Sequence, residues 1–360
     1  MMTRIKHLYV HVPFCKSICY YCDFCHRIYD ESIAKQWLER LKKEIEETCL
    51  DQYETIYIGG GTPTALSCEQ LDVLLNLVDP YASSVNEYTI EVNPESLDEE
   101  KARIFRKHHV NRISMGVQTS DDRLLKNLNR HHTFEDVKER IAMLRRNGFD
   151  SISVDLMYSL PDQTMDCLEQ SIDDVVSLNV EHISLYSLTI EENTVFGKKG
   201  IKNLDEDTEA DMYELIVQKL RDRGYIHYEV SNFARDGRIS MHNMGYWNYD
   251  DFLGVSMGAA GKIGSNRYTN TRDLKRYLNE EDIRDENLYL KTDEMAFENI
   301  MMSLRTIYGL DIEEFNRKYD CDLLKKYKKG VENPSILITD ERMICTDLSI
   351  LNRVLLDFMI

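Results

Sequence analysis

HVPFCKSICYYCDFCHR, from His11 to Arg27, sets four cysteines, Cys15, Cys19, Cys22 and Cys25, into one short segment among aromatic residues. Such a cluster can be a disulfide framework, a zinc knuckle, or a metal group held with one position open. The remaining cysteines, Cys49, Cys68, Cys167, Cys321 and Cys345, are scattered, and an odd total of nine fits a stapled fold poorly. The opening MMTRIKHLYVHVPF has no apolar core or cleavage site of a secretion signal. No run nears the roughly 18 apolar residues of a membrane span, so no transmembrane segment is expected. The expected location is cytoplasmic, where thiols stay reduced, and metal is the better reading of the cluster.

Around this segment the chain alternates strand and helix. Short β-branched or aromatic runs recur at 7–12, 55–60, 88–93, 112–117, 151–158 and 182–188, with helical patterns between most of them. One helix, TFEDVKERIAMLRRNGF, is closed by Gly148, and the fourth connection carries two helical pieces. Six βα units imply a parallel sheet covered by helices, an α/β fold best met by a partial barrel. In a barrel the chemistry sits on the loops after the strands. CKSICYYC, GGGTP, NPES, VQTS and SLPDQT all fall there.

After about residue 205 the pattern changes. A helix, DTEADMYELIVQKLRDRG, leads to an aromatic loop, SMHNMGYWNYDDFLGVSMGAAG, and the acidic stretch NEEDIRDENLY then connects to a mostly helical, winged-helix-like end. In that end ILITDERMICT reads as a hairpin and DLSILNRVLLDFM as one amphipathic helix. The expected organisation is a core over 1–205, an extension over 206–285 and a C-terminal unit over 286–360. The chain has 360 residues, is 42% hydrophobic and carries a formal charge of −19, which argues against nucleic acid as a partner.

The leading cysteines have the spacing C-x3-C-x2-C. Thiolates are natural ligands for iron–sulfur clusters and for zinc. Zinc wants four ligands, and Cys25 or His26 could supply the fourth. Structural zinc sites usually pair two knuckles, and no second knuckle follows. Three thiolates on a [4Fe–4S] cluster instead leave one iron free to bind a small molecule and pass it an electron. Gly59, Gly60 and Gly61 let backbone approach a ligand, with N–H groups to meet its polar end, although a glycine triplet alone also reads as a tight turn.

C-x3-C-x2-C after the first strand, with Tyr21 before the last cysteine, resembles the radical S-adenosylmethionine (SAM) superfamily. The resemblance implies a [4Fe–4S] cluster on Cys15, Cys19 and Cys22 whose open iron chelates SAM and whose electron cleaves it to a 5′-deoxyadenosyl radical. YVHVPFC, YYCDF, IGGGTPT, EVNPES, NRISMGVQT, DLMYSLPDQT, HISLYSLTIEENTVF, YEVSNFAR, HNMGYW and FLGVSMGAAG match the coproporphyrinogen III oxidase-like subfamily in order. By the same resemblance Tyr9, Tyr21, Gly60, Gly61, Thr62, Glu91, Gln118, Arg130 and Asp155 are SAM or cavity contacts. The competing roles are core packing for the tyrosines, a surface acid for Glu91 and a solvated helix face for Arg130. Ser159 and Asp162 stand where family members often carry glycine.

Two functions divide this subfamily. The oxygen-independent coproporphyrinogen III oxidase carries an N-terminal arm and a C-x3-C-x2-C-x-C pattern. Here the first strand begins almost at Met1, position 24 is Phe, and Cys25 falls one residue late. These departures, with YCDF, resemble the HemW-type haem chaperones. HNMGYW matches the H-N-x-x-Y-W pattern proposed to contact haem in that branch, which implies His242, Asn243, Tyr246 and Trp247 as haem contacts. On the residues alone it also reads as an aromatic cluster joining the barrel to the C-terminal unit. The expectation is a chaperone that holds haem, as cargo beside its cluster and SAM, and delivers it to client haem proteins, with homodimerisation left open. The oxidase is the alternative and a zinc-structured scaffold the remote one. No residue is assigned a catalytic role.

Overall fold

The structure, a computed structural model, describes residues 4–49 and 52–359. The outermost ends of the expected first and last units, residues 1–3 and 360, lie outside them. Six strands form where the β-branched runs stand: β1 (His7–Val12), β2 (Thr55–Gly60), β3 (Glu87–Val92), β4 (Arg112–Gln118), β5 (Ile152–Tyr158) and β6 (His182–Ser187). They pair in sequence order, all parallel. Burial along them is nearly continuous, as expected for strands covered on both faces.

Helices fill the connections: α1 (Glu31–Thr48), α2 (Cys68–Val78), α3 (Glu99–Lys107), α4 (Asp122–Asn127), α5 (Phe134–Arg146) and α6 (Met165–Ser177). Each start is fixed by local chemistry. Asp30, Ser67, Asp98, Asp121, Thr133 and Thr164 accept from the first-turn amides, and Thr133 with Asp136 forms a capping box. Gly148 ends α5 with a φ of +82°, as its position in the sequence indicates. α4 and α5 are the two helical pieces of the fourth connection.

Beyond α7 (Glu206–Asp222) the structure departs from the simple reading. A hairpin, β7 (Ile226–Glu229) and β8 (Asn232–Ala234), extends the sheet antiparallel to β6. The expected aromatic loop is instead a short helix, α8 (Met241–Trp247), followed by β9 (Phe252–Val255), which lies parallel to β1. Three antiparallel strands, β10 (Ala260–Ile263), β11 (Asn266–Asn270) and β12 (Arg284–Tyr289), follow outward. The second half of the acidic connecting stretch, from Arg284, is therefore β12, the edge of the main sheet. Its residues are mostly exposed, so no alternation of burial marks it in the sequence. The order β12-β11-β10-β9-β1-β2-β3-β4-β5-β6-β8-β7 leaves β12 and β7 unpaired with each other, and the barrel is partial.

A second apolar core runs from Ala296 to Phe358. It packs α9 (Thr292–Ser303) and α10 (Ile312–Tyr319) against a small sheet of β13 (Leu310–Asp311), β14 (Ile336–Ile338) and β15 (Arg342–Cys345). The expected final helix is broken into 3-10 and α segments over 348–358. Leu351, Val354, Leu355 and Phe358 nevertheless face the core at helical spacing. No helix among the described residues is long and apolar enough to cross a membrane.

Candidate functional site

The cysteine segment leaves β1 at Val12 and is tied down at several points. Phe14–Cys15 pairs with Arg27–Ile28 and closes the loop at its base. Farther out, Tyr20 N–H donates to the Leu128 carbonyl (3.1 Å) and Asn129 Nδ2 to the Ile18 carbonyl (2.8 Å). The loop thus rests on the connection after β4. Below it lies a cavity of about 410 Å³ lined by Cys15, Cys19 and Cys22. Cys25 is turned away and packs on Gly258, where an added Cβ would stand 2.4 Å from the Cys25 Cβ.

The donor set fits an iron–sulfur cluster. Among the described residues no three Cys, His, Asp or Glu side chains close on one point as a single metal ion would require, whereas the three thiols share the lining of one cavity. Burial pushes the Cys15 thiol up to about 11 and that of Cys22 to about 12, so both hold their protons until a metal displaces them. A fixed cation lies beside the third: Arg130 Nη1 donates to Cys19 Sγ at 3.6 Å.

Arg130 is the hub of this wall. Its Nη2 donates to Asn93 Oδ1 (2.9 Å) and to the Gly116 carbonyl (2.6 Å), and lies 3.6 Å from Glu95 Oε2. Glu95 also meets His132 Nδ1 at 3.1 Å. Burial alone would raise Glu95, but His132 and Arg130 more than offset it and hold the carboxyl at about 2. The Arg130 side chain is buried, which rules out the solvated helix face as its setting.

The glycine run does something other than present N–H groups to a ligand. Gly60 N–H donates to Glu91 Oε2 (2.9 Å), Gly61 N–H to the Val12 carbonyl (2.8 Å) and Thr62 N–H to the Phe14 carbonyl (2.7 Å). Gly60 thus ties the end of β2 to β3, while Gly61 and Thr62 latch it onto the end of β1 and the start of the cysteine loop. Gly60 has a φ of +107°, and a Cβ there would meet the His11 ring at 2.4 Å, so only glycine fits.

Two acids line the interior. Glu91 accepts from the Tyr57 hydroxyl (2.8 Å) as well as from Gly60; burial first, and Asp155 second, push it up to about 7. Burial also raises Asp155, which accepts from the Ser114 hydroxyl at 3.1 Å. Gln118 reaches the same cavity from a strained position: its φ is +75°, where the β4–β5 register slips between Gly116 and Gln118. Tyr21, Gly60, Gly61 and Thr62 complete the expected residues in the lining. Tyr9 is set apart, its hydroxyl bonded to His11 Nδ1 at 2.9 Å. Sequence reasoning missed Tyr57, Asn93, Glu95, His132 and Tyr186. The N-P step after β3 was the one available signal, since it marks the turn that carries Asn93 and Glu95.

The HNMGYW segment lies at the opposite end of the barrel. Met241 and His242 amides donate to the two oxygens of Glu87 (both 2.9 Å), and His242 Nδ1 bonds to Thr55 Oγ1 at 2.6 Å. Glu87 and Thr55 begin β3 and β2, so α8 sits under the strand starts, a strand length of roughly 17–20 Å from the cysteine end. His242 Nε2 bonds to the Tyr246 hydroxyl at 2.7 Å, and the ring is 1% exposed. Both ring nitrogens of His242 are thus hydrogen-bonded within the protein, to Thr55 and to Tyr246. Trp247 lies under the Arg305 guanidinium, 4.9 Å from its ring centre, and joins α8 to the C-terminal unit. Asn243 alone of the four expected haem contacts reaches the cavity.

Ser159 and Asp162 have φ values of +60° and +62°, the left-handed region where glycine is preferred. Ser159 is fully buried and its hydroxyl has no partner. Ser159→Gly relieves both defects, less the entropy glycine adds to the unfolded chain, and is expected to raise stability by about 1 kcal/mol in urea unfolding.

The radical SAM superfamily matches over residues 9–175. A protein described as heme chaperone HemW from Lactococcus lactis is 36% identical over 357 residues, covering 96% of this chain and 94% of its own. The protein of that description from Bacillus subtilis is 38% identical, with 89% and 88% covered, and that from Escherichia coli 35%, with 71% and 70%. Among solved structures, coproporphyrinogen III oxidase (HemN) from Escherichia coli, a radical SAM enzyme, superposes with a TM-score of 0.86 at 22% identity. It covers 99% of this chain and 90% of its own, a likeness of fold.

Proposed function

Because the chain belongs to the HemW haem-chaperone family of the radical SAM superfamily, we propose that it acts in the cytoplasm, holding haem and passing it to client haem proteins under the control of a cluster and SAM. The observation that carries this reading is the extent of similarity to the HemW chaperones, over nearly all of both chains. Phe24 supports it against the oxidase, since an aromatic ring stands at the cavity where the oxidase pattern has a thiol.

In this proposal Cys15, Cys19 and Cys22 hold a [4Fe–4S] cluster. That group supplies an open iron and one electron at low potential. The chain's own residues do the positioning. Arg130 places a positive charge on the Cys19 side, and the Gly60–Thr62 latch fixes the distance between the cysteine loop and β2. Glu91, Gln118 and Asp155 offer acceptors to the polar groups of SAM. Tyr21 brings a partly buried aromatic ring beside Cys19 and Cys22.

Glu91 makes SAM binding pH-dependent in a defined direction. Below its value of about 7 the carboxyl is neutral; above it the carboxylate accepts charge-assisted bonds. Wild type and Glu91→Gln should bind SAM almost alike at pH 6 and differ by about tenfold at pH 8. Calorimetric titration of both proteins across that range reads the ratio, which cancels the titration of SAM itself. A constant ratio would remove Glu91 from the site.

The function is tested by titrating cluster-loaded protein with haem and, in parallel, supplying coproporphyrinogen III, SAM and reductant under anaerobic conditions. Stable haem binding without turnover is expected. Rapid protoporphyrinogen formation without retained haem would return the oxidase reading.

A further inference from the structure

The cavity does not end below the cysteines. Its lining continues past Glu91 to Asn243 on α8, so the two ends of the barrel share one chamber. Side chains alternate between faces along β2, which sets Thr55, Tyr57 and Gly59 on one side. Tyr57 touches both ends of the chamber. Its hydroxyl donates to Glu91 Oε1 (2.8 Å), and its ring lies 5.2 Å from the His242 ring, tilted by 33°. Below it Thr55 Oγ1 bonds to His242 Nδ1 at 2.6 Å. Above it no slack remains: a Cβ on Gly59 would stand 2.6 Å from Glu91 Cδ and 2.7 Å from Tyr57 Cε1.

The neighbouring strand repeats the arrangement. Glu87 and Glu91 lie on one face of β3, roughly 13 Å apart along the strand, and Glu87 holds the Met241 and His242 amides that begin α8. Tyr246 gives a further link. Its hydroxyl bonds to His242 Nε2 at 2.7 Å, and burial first, with the Glu91 charge second, raises the phenol. α8 in turn meets the C-terminal unit: Trp247 lies under Arg305, and the Tyr249 hydroxyl just past the helix donates to Glu298 Oε2 at 2.7 Å.

Both Glu91 oxygens are already engaged, by Tyr57 and by Gly60. A ligand hydroxyl that reaches this carboxylate therefore competes with the Tyr57 bond, and a close-packed column passes such a change on rather than absorbing it. We infer that Tyr57 couples the SAM site to α8. With Glu91 engaged by SAM, the Tyr57 ring and the His242–Tyr246 pair move, and the helix that carries the expected haem contacts changes its setting against the C-terminal unit. Tyr57 is a positioning residue in this scheme, acting through Glu91 on one side and His242 on the other. The inference rests on the haem-chaperone reading and gives the control of haem by SAM a physical route.

The test uses cluster-loaded protein labelled with fluorotryptophan and followed by fluorine magnetic resonance. The chain has two tryptophans. Trp247 reports α8, and Trp37, buried in the barrel core with its Nε1 on Ser256 Oγ (2.8 Å), is the internal control. Added SAM should move the Trp247 resonance and leave that of Trp37 in place. Tyr57→Phe keeps the ring on His242 and loses only the bond to Glu91. It should still bind SAM in calorimetry, within about tenfold of wild type, while its Trp247 resonance stays still. In parallel haem titrations read by Soret absorbance, SAM should change the affinity of wild type by about fivefold or more and that of Tyr57→Phe by far less. A Trp247 shift that persists in SAM-bound Tyr57→Phe, or is absent in SAM-bound wild type, would overturn the inference and leave the chaperone reading standing. So would a wild-type haem affinity that ignores SAM. Failure of wild type to bind haem, with the Trp247 shifts as expected, would sink the chaperone reading and leave the coupling in place. Failure of wild type to bind SAM would overturn the coupling itself.

Discussion

Cys15→Ala, Cys19→Ala and Cys22→Ala proteins, each reconstituted with iron and sulfide, should retain at least about tenfold less cluster than wild type, while Cys25→Ala retains it in full. The contrast follows from the loop's geometry. The first three thiols line one cavity, whereas Cys25 is buried against Gly258 behind it. Burial already holds Cys15 and Cys22 in their protonated forms, so affinity rests on all three metal–sulfur bonds. A variant left with two ligands has no neighbouring thiol to recruit, because Cys25 is locked by its packing and by the His11 bond to its carbonyl (2.7 Å). Iron and sulfide analysis with absorbance near 400 nm reads the result. Equal loss in all four variants would mean that Cys25 is a ligand.

Arg130→Met should be the most destabilising substitution on the cavity wall, costing about 3–5 kcal/mol in chemical unfolding. The buried guanidinium satisfies Asn93, Gly116 and Cys19 and faces Glu95, and methionine of similar length replaces none of those bonds. The largest part of the loss is the Glu95 carboxylate, left buried with His132 alone. Adding Glu95→Gln should therefore recover a substantial share. The pH dependence has a definite sign. Glu95 is depressed in the folded state, to about 2, so its contribution is complete above the ordinary carboxylate range and is lost as pH falls from about 5 toward 2. The shift corresponds to about 3 kcal/mol. Arg130→Met should flatten that acid limb. An unchanged limb would show that His132, and not Arg130, holds Glu95 down.

Much of this molecule was readable from residues alone, and the reasons differ by region. The six core strands are β-branched runs buried on both faces, and their helices begin at Asp, Ser or Thr caps, so local chemistry and tertiary position agree. The cysteine loop, Glu91, Gln118 and Arg130 fall near strand ends or on the loops after them, where a barrel gathers its chemistry, and Asp155 points inward from the middle of β5. What the sequence hid depends on distant partners. Glu95 and His132 are ordinary polar residues until the fold sets Glu95 between Arg130 and His132. β12 reads as a charged linker because an exposed edge strand has no apolar face. The glycine run reads as a ligand cradle, yet in the fold the Gly60 and Gly61 amides are taken up by the Glu91 carboxylate and the Val12 carbonyl. HNMGYW was the hardest, because its aromatic residues serve packing under the barrel as well as they would serve a tetrapyrrole.

The central claim, that this chain holds haem in order to deliver it, is tested most directly by transfer. Protein loaded with cluster and one equivalent of haem is mixed with an apo haem protein, and the recipient's Soret spectrum is followed with and without SAM. The account predicts that the recipient gains haem at the expense of the loaded protein, with a rate that responds to SAM. Haem that stays bound while the recipient remains empty, under every SAM condition, would contradict it.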